Sequence, residues 1–279
     1  MKAFHEFRTY ESSIPLSIGT INKFAFLAHW HNDVELVYVR DGELKMGVNK
    51  EIRILGKGDL AICSSGDIHY YNSSNYESDA FLMIFKPEMV DSKGLWPQNV
   101  HFCSPFVTNA FLKEKGADQR LRQIFNSILW ETENIARFSS YFLKALVYEL
   151  CGILLTHVPF QSAENYDVSS GISSLKIMRQ ALLYIEKNYT QDIKLEDIAR
   201  TANVSLFYFS RVFNQMTGMN FRAYLNSIRI KKAQEMIMSD MDGSITDIAY
   251  ECGFNSIRTF NRVFKAINGN RPTSMKRKQ

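Results

Sequence analysis

Residues 195–218 read LEDIARTANVSLFYFSRVFNQMTG, and residues 245–269 read ITDIAYECGFNSIRTFNRVFKAING. The two stretches follow one pattern. Leu195, Ile198, Ala199 and Ala202 recur fifty residues on as Ile245, Ile248, Ala249 and Cys252. Phe209, Arg211, Val212, Phe213 and Gly218 recur fifty-one residues on as Phe260, Arg262, Val263, Phe264 and Gly269. The first four positions of each copy fall at i, i+3, i+4 and i+7, the apolar stripe of an amphipathic helix. Asn203, which tolerates left-handed backbone, then marks a helix stop, and Gly253 is the turn of the second copy. Ser205 and Ser256 follow as N-caps of a second helix, which ends at Gly218 or Gly269. The prediction is a helix–turn–helix made twice, and one extra residue in the second turn accounts for the slip from fifty to fifty-one.

The second helix of each copy has two faces. Phe209, Val212, Phe213 and Met216 form the expected buried stripe of one, and Phe260, Val263, Phe264 and Ile267 that of the other. The opposite face carries Phe207, Ser210, Arg211 and Asn214 in the first copy, and Arg258, Asn261, Arg262 and Lys265 in the second. An arginine here suits a DNA groove, because its guanidinium donates two hydrogen bonds to guanine O6 and N7. Asn, Ser and Lys reach base edges or phosphates, and Phe207 suits a thymine methyl. A lone Arg on a helix is ordinarily a solvated charge; Arg211 and Arg262 at matching positions argue for a shared role. Between the copies, Asn220 to Ser239 contains neither Pro nor Gly. As a helix it spans roughly 27–30 Å, close to the roughly 34 Å turn of B-DNA. Two reading helices in successive major grooves are the expected result, with DNA bending if that helix is stiff.

Charge agrees with this division. Residues 173–279 hold 17 Lys and Arg against 9 Asp and Glu, a net of +8, while the rest of the chain carries −4 of the overall +4. A basic third beside an acidic remainder suggests a nucleic-acid module joined to something else. The four cysteines are scattered, with no C-x-x-C spacing, so neither a zinc ribbon nor a disulfide framework is indicated. The expected setting is reducing and cytoplasmic. The start lacks an apolar core of signal-peptide length. The apolar stretch Ala145 to Leu155 contains Glu149 and reads as too short to span a bilayer.

Residues 195–236, LEDIARTANVSLFYFSRVFNQMTGMNFRAYLNSIRIKKAQEM, and 244–272, SITDIAYECGFNSIRTFNRVFKAINGNRP, resemble the DNA-binding domain of the AraC/XylS family of bacterial transcription regulators. The second stretch approaches the family signature, including Asp247, Ile248, Ala249, Gly253, Phe254, Phe260, Arg262, Phe264 and Pro272. By this resemblance the base-reading residues fall at Leu206, Phe207, Ser210 and Arg211, then Ile257, Arg258, Thr259, Asn261 and Arg262. The helix faces add Asn214 and Lys265. Phe207 and Ile257 depart from the family, where small or polar residues are common. Lys276, Arg277 and Lys278 are expected on phosphates. The resemblance also implies double-stranded DNA and RNA polymerase as partners, a small-molecule effector, an activator role and carbohydrate metabolism as its setting. It implies no cofactor.

Residues 21–85 hold short β-like runs, FAFL (24–27), VELVYV (34–39), LKMGV (44–48), LAIC (60–63) and FLMIF (81–85), separated by turn residues. This spacing predicts a small sandwich or barrel. His29-x-His31-x-x-x-Glu35, followed by Gly42, Gly58-Asp59 and His69, resembles the paired motifs of cupin barrels. In metal-binding cupins such residues hold a divalent ion. Read as one strand, His29, His31 and Glu35 share parity and face one side. Ser64 stands where the metal cupins usually have proline, and Asn72 is one residue early. The expectation is therefore a polar ligand pocket without metal, built from His29, His31, Glu35, Tyr38, His69 and Tyr71. Trp30, Tyr38, Tyr71 and Trp96 either stack on a sugar ring or belong to the core.

Asp118 to His157 reads as two helices, with stripes Leu121, Ile124, Phe125, Ile128, Leu129 and Phe142, Leu146, Leu150, Ile153, Leu154, broken near Arg137 to Ser140. They pair two subunits into a homodimer or pack on their own barrel. Residues 158–172, polar and Ser-rich, read as a linker. The expected chain is an α+β, two-domain protein. A cupin-like β-barrel followed by helices (1–157) senses the ligand and dimerises, and an all-α tandem helix–turn–helix domain (173–279) reads DNA. Two rival readings stand beside a regulator of this kind: a metal-dependent cupin enzyme fused to a DNA-binding domain, and a DNA-binding protein with no ligand.

Overall fold

The computed structural model describes residues 10, 14–22, 25–72, 77–90, 100–136, 138–162, 168–239 and 243–275. Residues 1–9 and 11–13, Trp96, Arg137 and the basic run Lys276 to Lys278 lie outside the described residues. The chain divides into two compact units between Leu175 and Lys176.

The first unit contains β1 (Leu16–Ile21), β2 (Ala25–His29), β3 (Val34–Gly42), β4 (Leu44–Val48), β5 (Glu51–Leu55), β6 (Leu60–Cys63), β7 (His69–Asn72) and β8 (Ser78–Phe85). Then follow β9 (Val100–Phe102), β10 (Phe106–Val107), α1 (Asn109–Glu114), α2 (Asp118–Glu133), α3 (Ser139–His157) and β11 (Phe160–Ser162). Antiparallel pairing gives a five-stranded sheet, β1-β8-β3-β6-β10, a four-stranded sheet, β2-β7-β4-β5, and the pair β11-β9. Among the described residues the two larger sheets share a core but not a ladder. The expected cupin-like barrel thus takes the form of a jelly-roll-like sandwich rather than a closed cylinder.

The continuous apolar run of β3 follows from burial on both faces. Val34, Leu36 and Tyr38 point into a core shared with α1, α2 and α3. Val37 and Val39 point into the core between the sheets, with Leu44, Met46 and Val48 of β4 and Tyr71 of β7. Strand β6 splits the same way, Leu60 and Ile62 to the helices, Ala61 and Cys63 to the interior. The helices break at 134–138, where the sequence places the break, but the buried face of α3 is Leu143, Val147, Leu150, Cys151 and Leu154. Phe142, expected inside, is 59% exposed. The slip arises because α3 is apolar almost all round, which blurs its stripe. At 19 residues, α3 is also long and apolar enough to cross a membrane by length and composition, unlike the shorter stretch read from the sequence. Its core-facing residues and the pairing of Glu149 with Arg120 of α2 mark it as a helix of this unit's core.

The stretch 158–172, expected as a linker, holds β11, whose Phe160 to Ser162 pair with Phe102 to Val100, and the start of α4 (Val168–Asn188). Its polar composition hid a three-residue edge pairing.

The second unit continues with α5 (Leu195–Thr201), α6 (Leu206–Thr217), α7 (Phe221–Ser239), α8 (Ile245–Glu251), α9 (Ile257–Asn268) and α10 (Pro272–Met275). Two helix–turn–helix pairs, α5–α6 and α8–α9, flank α7. The first half of α7 serves one core: Tyr224 lies edge-on to Phe213 at 5.4 Å. Its second half serves the other, where Ile230, Ala233 and Ile237 join Phe260, Val263 and Phe264. Asn220 starts α7 by accepting a hydrogen bond from the backbone N–H of Ala223 at 2.9 Å.

Candidate functional site

The reading helices are built as the repeat predicts. Ser205 Oγ accepts from the N–H of Tyr208 and Ser256 Oγ from that of Thr259, so each helix has a satisfied N-terminus. Gly218 and Gly269 close the helices at φ 71° and 73°. Asn203 adopts the left-handed φ of 53° expected of it. Phe209, Val212, Phe213 and Met216 are buried on α6, and Phe260, Val263 and Phe264 on α9. Ile267, expected in that stripe, is 46% exposed in the last turn of α9.

The outward faces are open. Leu206, Phe207, Arg211 and Asn214 are exposed on α6, and Arg258, Asn261, Arg262 and Lys265 on α9. Ser210 and Thr259 are half-buried, and Ile257 packs partly against the core of its own unit. Phe207, 80% exposed, contributes nothing to the core. An open groove is lined by Ser210 of α6, Thr259 and Arg262 of α9, and Asn220, Arg222 and Asn226 at the start of α7. The α7 residues were missed in the sequence. They lie on the connecting helix rather than in the repeat, and the signal was the i, i+4 spacing of Arg222 and Asn226 on its polar side.

The second site lies inside the first unit. His29, His31, Glu35 and His69 are each at most 1% exposed, and their ligating atoms all lie within 4.8 Å of one another. The shared-parity argument that grouped three of them does not describe the geometry. His29 ends β2 in the four-stranded sheet, Glu35 lies on β3 in the five-stranded sheet, and His31 sits on the connection between them. The chain crosses from one sheet to the other at residues 30–33, and this crossing brings the side chains together. His69 starts β7 as the register partner of His29.

Each imidazole is oriented from behind. The Nδ1 atoms of His29, His31 and His69 lie 3.0, 3.0 and 2.9 Å from the backbone oxygens of Leu27, Asp33 and Asp67. A carbonyl only accepts, so each Nδ1 carries a hydrogen, and an Nε2 that donates to Glu35 belongs to a ring protonated on both nitrogens. The loops that supply these carbonyls are themselves fixed. Asp67 accepts from the N–H of Ser64 and the amide of Asn49, and the N–H of Gly66 donates to the His31 oxygen at 2.7 Å. Glu35 Oε2 lies 3.2 Å from His31 Nε2 in a hydrogen bond, and 3.4 Å from His69 Nε2 at ion-pair distance. Glu35 Oε1 accepts no hydrogen bond among the described residues.

Burial pushes the Glu35 carboxyl up, but the charge of His69 and the hydrogen bond from His31 outweigh it and hold the group well below the usual carboxylate range. Burial likewise depresses His69, yet the Glu35 charge and the Asp67 carbonyl leave it raised. His29 is lowered, by burial and then by the charge of His69.

Tyr38 does not join this cluster. On β3 it alternates with Glu35, and its ring stacks on Phe125 of α2 at 4.5 Å. It is a core residue. Tyr71 is buried between the sheets, 5.6 Å from Phe26, whose ring meets His29 at 4.4 Å. Trp30 is half-buried.

Comparison with known proteins gives two family models, described as an AraC-like ligand binding domain over residues 17–151 and a helix-turn-helix domain over residues 198–278. The HTH-type transcriptional activator RhaS of Klebsiella pneumoniae is 34% identical over 248 residues, covering 86% of this chain and 84% of that protein. An uncharacterized HTH-type transcriptional regulator of Bacillus subtilis, YdeC, is 25% identical over 282 residues, covering 99% of this chain and 96% of its own. Among solved structures, apo ToxT K231A from Vibrio cholerae aligns over 96% of this chain and 98% of its own at 16% identity, with a TM-score of 0.44.

Proposed function

Because the chain belongs to the AraC family of DNA-binding transcription regulators, we propose that it is an activator that reads an asymmetric DNA site with α6 and α9 and responds to a small polar effector in its first unit. It is a regulator, not an enzyme; its relatives and both matched domains belong to regulators, which sets aside the fused-enzyme reading. The observation that carries the effector reading is the buried polar cluster of His29, His31, Glu35 and His69 inside an otherwise apolar sandwich. Burying four such groups costs stability unless they are matched, so a core with no binding role has little reason to keep them. His29 and Tyr71 extend the polar lining toward Phe26. The Klebsiella relative, a transcriptional activator by name, supports an activator here, working through RNA polymerase in the cytoplasm. A sugar or related carbohydrate is the effector class implied by the resemblance.

Residues up to about 157 form the sensing and dimerisation part, and 173–279 the reading part. Trp130, Ile135, Phe138, Tyr141, Phe142 and Tyr148 on and beside α2 and α3 are all more than half exposed. That aromatic face supports a homodimer through these helices. Effector control requires the effector to bind two conformations unequally.

The test joins two measurements on the full chain. A thermal-shift screen against sugars and other small polar molecules is expected to yield one that raises the melting temperature, and the same compound is expected to change affinity for the cognate site. A screen in which no polar compound shifts either quantity would overturn the effector reading and leave the DNA reading standing.

A further inference from the structure

We propose that the ring of Phe207, in the first turn of α6, is a probe for the C5-methyl group of a pyrimidine in the DNA major groove. The first half of the DNA site is then read partly by a methyl group, and 5-methylcytosine can stand there for thymine. The proposal rests on the reading of DNA by α6 and α9 and names what the tip of α6 recognises.

Placement is the first observation. Leu206 and Phe207 open α6 directly after its N-cap, Ser205. Phe207 is 80% exposed and Leu206 41%. One exposed apolar side chain is ordinary and needs no account. Phe207, however, shares its helix face with Ser210, Arg211 and Asn214, at i+3, i+4 and i+7. The N-terminal residues of a reading helix are those that meet base edges. The core of the unit takes Phe209, Val212, Phe213 and Met216 from α6, and not Phe207. The Arg211 guanidinium lies 6.0 Å from the Tyr208 ring, and among the described residues no other ring or cation lies against Phe207.

The repeat supplies an internal comparison. The matching tip of α9 is Ile257 and Arg258. Ile257 packs partly against its own core, and Arg258 is exposed. Both helices are capped alike, by Ser205 and Ser256. The fold therefore does not demand an aromatic ring at this place, since a guanidinium occupies it in the second unit. The difference lies in what each tip presents outward.

Chemistry selects the target. Base edges in the major groove present hydrogen-bonding groups, and the thymine C5-methyl is the apolar exception. A phenyl ring pressed on guanine O6 or cytosine N4 strips water from a polar atom and returns no hydrogen bond. Pressed on a methyl, it removes apolar surface from water on both partners. 5-Methylcytosine carries the same methyl at the same ring position, so the probe favours thymine over uracil and 5-methylcytosine over cytosine. Arg211 follows four residues on, about 6 Å along the helix axis. The methyl is therefore expected within about two base pairs of the base that Arg211 reads.

The experiment begins by selecting a binding site for the full chain from random duplex DNA. Each thymine of that site is then replaced singly by deoxyuridine. At one or two thymines, within about two base pairs of the position relaxed by Arg211→Ala, binding is expected to weaken about 3–5-fold, the effect of burying one methyl group. At the same positions, 5-methylcytosine paired with guanine is expected to bind about 3–5-fold more tightly than cytosine. These comparisons use the wild-type protein and do not depend on any variant folding. Phe207→Ala removes no core side chain; it is expected to bind about tenfold more weakly and to abolish both methyl differences. Arg258→Ala, at the matching place in α9, is expected to weaken binding while keeping them. Equal binding of thymine and uracil at every position of a selected site overturns the proposal and leaves the DNA reading standing. So does a Phe207→Ala protein that keeps the full methyl differences, which would put the ring against sugar or another protein. Failure to select any site overturns the DNA reading itself, and this proposal with it.

Discussion

In the first helix–turn–helix unit the turn residue is Asn203, with φ 53°; in the second it is Gly253, with φ 85°. Asn203 is exposed. Gly253 is buried, and a Cβ there would stand 2.7 Å from the carbonyl oxygen of Thr190 and 2.8 Å from its Cα. The same chain segment is gripped by Arg229 of α7, which donates to the backbone oxygens of Tyr189 at 2.7 Å and Gln191 at 2.8 Å, while its guanidinium lies 5.8 Å from the Phe254 ring. Left-handed backbone therefore does not explain the glycine, since asparagine supplies it in the first unit. The glycine is required by what lies against it. Repeats with one fold can face different neighbours, and the sequence difference records the neighbour.

Exchanging the turn residues tests this most severely. Gly253→Asn is expected to cost about 2–4 kcal/mol in thermal or urea unfolding, because the obstructing atoms are backbone and cannot swing aside. Asn203→Gly is expected within about 0.5 kcal/mol of wild type. Equal losses at the two positions would break the comparison. Next come the reading arginines. Arg262→Ala and Arg211→Ala should each lose about 1–3 kcal/mol of discrimination at one or two base positions, and at different positions in the two variants. Footprints that keep full discrimination in either variant would remove that arginine from base reading. Both serines accept the same bond, and Ser256 also donates to Thr259 Oγ1 at 3.1 Å: Ser205→Ala and Ser256→Ala are each expected to cost about 1 kcal/mol, with Ser256→Ala no smaller, read by denaturant midpoint. A clearly larger loss at Ser205 would show that the units differ in more than their turns. The smallest effect is chemical. Cys252 occupies the place of Ala202, and burial, followed by the Glu251 charge, pushes its thiol up to about 11. At pH 8 a thiol reagent should modify exposed Cys103 quickly and Cys252 slowly; rapid labelling of Cys252 would mean that the second unit opens readily.

Legibility differed between the two units for physical reasons. The helical unit was legible because its helices are short, capped and amphipathic, so period, cap and stop agree at Ser205, Asn203 and Gly218. It failed at Ile267, which lies half-exposed at a helix end, and did not foresee Arg222 and Asn226 in the groove, because their place there depends on the connecting helix and not on the repeat. In the sandwich, β3 was legible as a strand, but its double burial was not. A run apolar on both faces gives no sign of which residues face which layer, and Tyr38 was therefore assigned to the wrong side. The His and Glu side chains do converge, but not for the reason given in the sequence. Parity on one strand was invoked, whereas a crossing between sheets does the work, and no local period encodes a crossing.

Helix α7 supplies both helix–turn–helix cores from one uninterrupted rod of 19 residues. If α6 and α9 read DNA as proposed, the two halves of the site are locked in phase as well as in spacing. One residue added to the middle of α7 would turn everything beyond it by about 100°. One base pair added between the half-sites turns the duplex by only about 34°. The protein and its operator cannot drift in matching single steps, so the distance between half-sites should be among the least variable properties of the DNA this regulator recognises.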